Sequence, residues 1–192
     1  MLMSSTHNAI LVCPLQHDQQ IAKTGEVSIA PSLPACFNFA AGRNFSLIII
    51  NVPVGREAIR NHVLDLCRGL KRCSETQDTP VIISVEFLNR EMTLKMANAG
   101  IRFMEVRPKR NPIDPDHLLH MVRRGDPSIR IDLILARLCP FLDHRQVDGG
   151  RELTTCKAYR NRMVLGGKRL HKMCESDCHV YCDCFLHPRF AS

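Results

Sequence analysis

The chain has no tryptophan and only two tyrosines in 192 residues. A surface that stacks successive bases of a single strand needs several aromatic faces, so the composition argues against that mode of nucleic-acid binding. Basic residues are missing at the start: no Lys or Arg precedes Lys23, and the apolar run Ala9–Leu15 is broken by Pro14. Both features are wrong for a secretory signal. Long apolar runs are also missing. The best candidate, Ile129–Leu142, is too short to span a bilayer and carries Arg130, Asp132 and Arg137. These absences predict a cytoplasmic protein without a transmembrane helix. No phosphate loop, carboxylate dyad or nucleophile–base pair is present, so no enzyme is predicted.

The rest of the composition is that of a folded chain, with 45% hydrophobic and 23% charged residues. The length suits one medium domain and a small appendage. The net charge of +7 is compatible with nucleic acid or an acidic partner, but the positive residues are spread along the chain. Ten cysteines in a reducing compartment point to metal binding or thiol chemistry rather than a disulfide framework. Cys13 and Cys67 sit within apolar runs and read as packed thiols.

Three apolar runs, Ala9–Val12, Leu47–Ile50 and Val81–Val85, read as buried parallel strands, because continuous Val/Ile/Leu means that both faces are covered. A fourth, Ile101–Val106, alternates as an edge strand does. Between the second and third strands, Ile59, Val63, Leu66, Cys67 and Leu70 recur at helical spacing. A further helix begins at Asn89 and ends at Gly100. Strands alternating with helices predict a doubly wound α/β sheet.

The stretches LIIINVPVG, LDLCRGLKRCSETQDTPVIISV and MANAGIRFMEVRP resemble the second half of the receiver domain of bacterial response regulators. The resemblance covers roughly residues 7–125 and is strongest from Phe45 to Pro108. It implies a five-stranded parallel sheet of flavodoxin-like topology, shortened or irregular before Phe45. It also implies a phospho-acceptor pocket, which here is degenerate. Asn51 stands at the position of the nucleophilic Asp, and Cys13-Pro14 stand at the acidic pair that would hold Mg²⁺. Ser84 keeps the hydroxyl position, Arg107 replaces the Lys ahead of Pro108, and Asp18 is the only nearby acid of the first loop. An amide forms no acyl phosphate, and a thiol with a proline holds no Mg²⁺ through carboxylates. A phosphorylation-incompetent pseudo-receiver with no bound Mg²⁺ is therefore expected. The Arg107-Pro108 bond is a candidate cis peptide by the same analogy.

With the switch chemistry gone, the resemblance implies a protein-contact module that meets a protein partner or a second copy. The surface used for this in the family maps here onto residues Asn89–Arg124. Residues 1–125 form the receiver-like domain. Residues 126–150 form a linker with a helix over about Pro127–Leu138, capped by Asp126.

Residues 151–192 form a cysteine-rich module too small to hold a core by area alone. The candidate metal ligands are Cys156, Cys174, Cys178, Cys182 and Cys184, for zinc or an iron–sulfur cluster. The spacing C-x17-C-x3-C-x3-C-x-C matches neither paired C-x2-C zinc modules nor the ferredoxin run. Two local structures are open. A continuous helix places the cysteines on a buried stripe and holds Cys174 and Cys182 about 12 Å apart, too far to share an ion. A helix ending near Ser176-Asp177 followed by a strand over HVYCDCFL brings them together, with Cys156 as the outside ligand. Reduced packed thiols and a redox disulfide are the other readings, and His171 and His179 are spare ligands on paper. The basic residues Lys157, Arg160, Arg162, Lys168, Arg169 and Lys172 support an alternative, a zinc-stapled nucleic-acid-binding regulator. A thiol redox catalyst at Cys178–Cys184 is a third.

Overall fold

Strand β1 (Ile10–Cys13), β2 (Val27–Ile29), helix α1 (Leu33–Gly42), β3 (Leu47–Val52), α2 (Glu57–Arg72), β4 (Val81–Val85), α3 (Arg90–Asn98), β5 (Phe103–Val106) and α4 (Pro115–Arg124) follow one another along the first part of the chain. The computed structural model describes residues 9–14, 21, 26–52, 57–108, 111–147, 151–159 and 163–189. The five strands form one sheet, all parallel, in the order β2-β1-β3-β4-β5. β1, β3 and β4 are buried along their whole length, as continuous aliphatic runs require when helices cover both faces.

One face packs on α1 and α2 through Cys36, Ala40, Val63, Cys67 and Leu70; the other packs on α4 through Leu118 and Leu119. This is the expected doubly wound sheet of flavodoxin-like receiver order. The part before Phe45 is short, as anticipated: β2 has three residues, and α1 begins four residues after it at Leu33. Caps fix the helix starts. Ser32 accepts from Ala35 N–H, Asn89 from Met92 N–H and Asp114 from His117 N–H. Gly125, at φ 63°, ends α4 in the left-handed region that glycine occupies without strain.

The stretch after residue 125 departs from a plain linker helix. Asp126 does cap, accepting from Ser128 N–H, but it starts only a short 3-10 turn (Pro127–Ile129). Arg130 is extended at ψ 121°, and α5 (Ile131–Arg137) begins afresh. Arg130 bridges to Phe103, and Ile131 N–H donates to Arg102 C=O at 3.0 Å. The helix breaks because this residue pairs with the open edge of β5.

A second, antiparallel sheet follows, made of β6 (Leu142–Val147), β7 (Arg151–Cys156) and β8 (Met163–Leu165). Its first strand lies within the stretch expected as linker. The tail then runs through α6 (Gly167–Arg169), a π-helical turn (Leu170–Cys174), a 3-10 turn (Asp177–Tyr181) and α7 (Asp183–Leu186). Neither local structure weighed for the cysteines is found: the helix is interrupted after Cys174, and HVYCDCFL forms helical turns instead of a strand. Ser176, extended at ψ 168°, accepts from Cys178 N–H and restarts the chain as a 3-10 turn. Cys182 is extended at ψ 129°. The Ser176 side chain, which caps the 3-10 turn at the first break, overrides the strand propensity of Val180 and Tyr181.

Cys139, Leu142, Cys156, Ala158, Leu165 and Cys174 share one buried cluster with the helix-packed face of the parallel sheet. The small module therefore borrows the larger core, with α5 and β6 packed on α3.

Candidate functional site

Two sites emerge: a buried polar cluster at the carboxyl ends of the parallel strands, and the thiols around α5 and the tail.

At the first, Asn51 is the next-to-last residue of β3, paired in register with Ser84 of β4. Both are buried, at 1% and 0% exposure. Arg107 follows β5 and is itself only 5% exposed. Its Nη2 donates to Asn51 Oδ1 at 3.2 Å and its Nε to Ser84 Oγ at 3.3 Å, while Nη1 donates to Asn111 C=O. Ser84 Oγ donates to Glu105 Oε2 at 3.1 Å, and that carboxylate lies 3.7 Å from Arg107 Nε. Asn51 Nδ2 donates to Pro14 C=O at 3.4 Å.

The guanidinium is spent on protein groups. An amide, a hydroxyl and a backbone carbonyl satisfy a fork of donors that would otherwise be stranded in the interior. Burial lifts the Glu105 carboxyl above its ordinary range, against the opposing pull of Ser84 and Arg107. Glu105 was missed in the sequence; its place in β5 facing Ser84 across the register Ser84↔Glu105 was the available signal. The Arg107-Pro108 peptide is trans, as no described peptide is cis. Asp18 lies outside the described residues.

Cys13, the last residue of β1, is fully buried with Cys36 and Cys67 in the core. A hydrogen bond with Cys13, together with burial, pushes the Cys36 thiol up, and burial pushes Cys67 up to about 12. These thiols are packing groups.

At the second site, the loop after α5 and the end of the π-helical turn are joined by Cys139 N–H donating to Cys174 C=O at 2.8 Å. Leu142 N–H donates to Cys139 C=O at 3.1 Å, and Leu142 pairs with Cys156 in the sheet. Cys139, Cys156 and Cys174 are buried, while Cys182 and Cys184 are partly exposed. Burial raises the Cys174 thiol to about 12, with Cys139, Cys182 and Cys156 adding to the rise. Burial and the neighbouring Cys156 and Cys182 raise Cys139 in the same way. Burial also acts upward on Cys182, but N–H groups of Cys184 and Phe185 and the Arg169 guanidinium bring it below the ordinary value.

The tail packs two of the five proposed ligands, Cys156 and Cys174, into the buried cluster, with Cys184 against it. It leaves Cys178 exposed, and Cys139, outside those five, is buried beside Cys174. Among the described residues no group of three or more His, Cys, Asp or Glu side chains could hold a metal ion.

His179 is buried, its Nδ1–H 2.8 Å from Ser176 C=O and its ring edge-on to Phe185 at 5.2 Å. His171 pairs with Glu175 at 2.6 Å. Of the basic residues, Lys157 is engaged by Asp143 at 2.9 Å and Arg169 by Cys182. Arg160 and Arg162 lie outside the described residues. Among the described residues no helix is long and apolar enough to cross a membrane.

No protein-family model and no curated protein matches the chain. Solved structures similar to it include the chemotaxis response regulator CheY4 of Vibrio cholerae, at 17% identity and TM-score 0.48, covering 62% of this chain and 98% of that one. A response regulator from Thermotoga maritima is 19% identical with TM-score 0.46, over 60% of this chain and 94% of that one. One from Burkholderia multivorans is 22% identical with TM-score 0.45, over 62% and 95%. The fold assignment stands on the strand order itself, which makes the amino-terminal two thirds of the chain a five-stranded, doubly wound parallel sheet in the receiver arrangement.

Proposed function

We propose that the chain is a receiver-like signalling regulator that accepts no phosphoryl group and acts by protein contact, not catalysis, in a bacterial cytoplasm. The observation that carries this reading is the Arg107 fork: bound to Asn51 and Ser84, it fills the place that phosphotransfer needs open. The nucleophile position holds an amide, and the acidic pair is replaced by Cys13 and Pro14, so neither an acyl phosphate nor carboxylate-held Mg²⁺ has its chemical means. The ten free thiols suit a reducing compartment.

The contact surface belongs to the face spanning Asn89–Arg124. Part of it is taken by the chain's own Arg130 and α5, packed against β5 and α3. Its outer side, the exposed Asp116, His120 and Arg124 of α4, is left for a protein partner or a second copy. The tail thiols form a metal-binding or redox-sensing module, for zinc or an iron–sulfur cluster. The nucleic-acid reading is weakened by the engagement of Lys157 and Arg169 within the fold.

Incubation of the full chain with radiolabelled acetyl phosphate and Mg²⁺ tests the proposal. No incorporated label is expected; an acid-stable, hydroxylamine-labile adduct on the chain would overturn it.

A further inference from the structure

Where β5, α4, the 3-10 turn before α5, α5 itself and the tail meet, they line a cleft of about 340 Å³. That is the room of roughly ten waters, at the small end of the range for ligand pockets. We propose that this cleft binds a small primary ammonium with an apolar body, its charge held between the carboxylates of Glu105 and Glu175.

Glu105 comes from β5, and Glu175 from the end of the π-helical turn, where its N–H donates to Leu170 C=O at 3.0 Å. Both are sheltered, with side chains 22% and 16% exposed. Each spends one oxygen inside the fold. Glu105 Oε2 accepts from Ser84 Oγ at 3.1 Å and Glu175 Oε2 meets the His171 ring at 2.6 Å, whereas Oε1 of each has no hydrogen-bond partner among the described residues. Neither Oε1 is sealed from solvent, so each stays open to an incoming donor. A sheltered carboxylate with a spare acceptor is best met by a charged donor, and an ammonium brings three N–H groups. Burial lifts the Glu105 carboxyl above its ordinary range even with Arg107 at 3.7 Å, so the fold alone leaves its charge undercompensated.

The rest of the lining sets the sign and the shape of the ligand. Arg137 is the one permanent cation of the described lining, but its side chain is 57% exposed and leans on Asp177 at 4.0 Å. Ser128 spends its hydroxyl on Asp126 Oδ1 at 2.6 Å. His117 is exposed and, when neutral, adds one acceptor nitrogen. An anion would thus meet two sheltered carboxylates and one solvated guanidinium, whereas an ammonium meets the carboxylates as partners. The remaining wall is apolar, made by Leu88, Val106, Met121, Ile129 and Ile134. Val106 is 45% exposed, apolar surface that a ligand body would cover favourably. Such a wall suits an organic cation and not a bare ion. A lone lysine side chain would leave most of the volume empty, which favours a free molecule over a residue inserted by a protein partner.

Calorimetric titration of the full chain with phenethylammonium provides the test, with phenethyl alcohol and hydrocinnamate as its neutral and anionic counterparts. Saturable binding of the amine is expected, with the alcohol at least tenfold weaker and hydrocinnamate not bound. Glu175→Gln should weaken the amine at least fivefold, the scale of one lost charge-assisted hydrogen bond. Arg137→Met should not weaken it, and Asp65→Asn, on α2 outside the cleft, should leave it unchanged. Glu105→Gln should act like Glu175→Gln; because Glu105 also receives Ser84 and its loss can disturb the fold, Glu175→Gln is the independent reading. No saturable amine binding, equal binding of the alcohol, a preference for hydrocinnamate, or full affinity in Glu175→Gln would each overturn the assignment. So would tighter binding of acetyl-lysine amide than of phenethylammonium, which would give the cleft to a lysine of a protein partner. None of these outcomes bears on the acetyl phosphate experiment, so the two readings fail separately.

Discussion

Arg107 reaches Asn51 across the top of the parallel sheet, with Nη2 at 3.2 Å from the amide oxygen, and both residues are buried. This pair closes the site, because the amide oxygen accepts from the cation while its nitrogen is turned to Pro14. Removing the cation strands Asn51, Ser84 and the half-buried Glu105 together. Arg107→Ala is expected to cost about 3 kcal/mol of unfolding free energy, the scale for deleting one member of a buried charged network. Arg107→Lys keeps the charge but loses the fork, and should cost less, about 1–2 kcal/mol. Urea unfolding followed by circular dichroism reads both; equal losses for the two variants would mean that the fork geometry is immaterial.

Asn51→Asp places a carboxylate where the proposed function puts the lost nucleophile, and changes nothing else. The new carboxylate faces the Arg107 guanidinium, while Cys13 and Pro14 still offer no metal ligand. The variant should therefore stay unlabelled by acetyl phosphate in the presence of Mg²⁺. Mass spectrometry of the intact chain is the measurement, and a phosphoryl adduct on Asn51→Asp would show that a single residue separates this pocket from a working one.

The parallel sheet was legible because its strands are continuous aliphatic runs, and Val81–Val85 was bounded to the residue. Asn51, Ser84 and Arg107 were singled out only through the resemblance to receiver domains. Glu105 was not, because a charged residue in an alternating edge strand reads as solvent-facing; here it turns in to meet Ser84. The break at Arg130 was hidden for a similar reason, since it is set by pairing with Phe103, a contact far away in sequence. The tail failed most clearly. Periodicity offered a continuous helix through the tail cysteines, or a helix ending near Ser176-Asp177 followed by a strand over HVYCDCFL, whereas Ser176 caps a fresh 3-10 turn and Cys182 is extended. Cys139 escaped notice because nothing in its spacing ties it to the tail; only the fold places it against Cys174.

The tail thiols should ionise in an order set by position. Cys182 sits below the ordinary cysteine range because N–H groups of Cys184 and Phe185 and the Arg169 guanidinium outweigh its burial, whereas burial raises Cys174, Cys139 and Cys184. In metal-free protein, iodoacetamide rate against pH, resolved by peptide, should show Cys182 becoming reactive at lower pH than Cys184. Arg169→Met should shift the Cys182 profile to higher pH and leave Cys178 alone. An unmoved Cys182 profile would mean that the guanidinium does not stabilise the thiolate.

Asp143 of β6 gives the small sheet its acid sensitivity. Its carboxylate takes Arg145 Nε and Lys157 Nζ, each at 2.9 Å, and is 12% exposed, while both cations are 52% exposed. Burial acts to raise its pKa, but the two hydrogen bonds and the two positive charges win, and it lies below the ordinary Asp value. A carboxylate depressed in the folded state stabilises the fold above its unfolded pKa, about 3.9, and that contribution disappears as the pH falls through the folded value. With both partners half in water, its worth is about 1 kcal/mol. Asp143→Asn should therefore be less stable than the parent by about that amount at neutral pH. The gap should hold down to about pH 5 and narrow below about pH 4 as the parent carboxylate takes up its proton. Thermal melts of the two proteins across that range decide the matter: a gap that stays constant into acid would place the cost in the side-chain substitution and not in the charge.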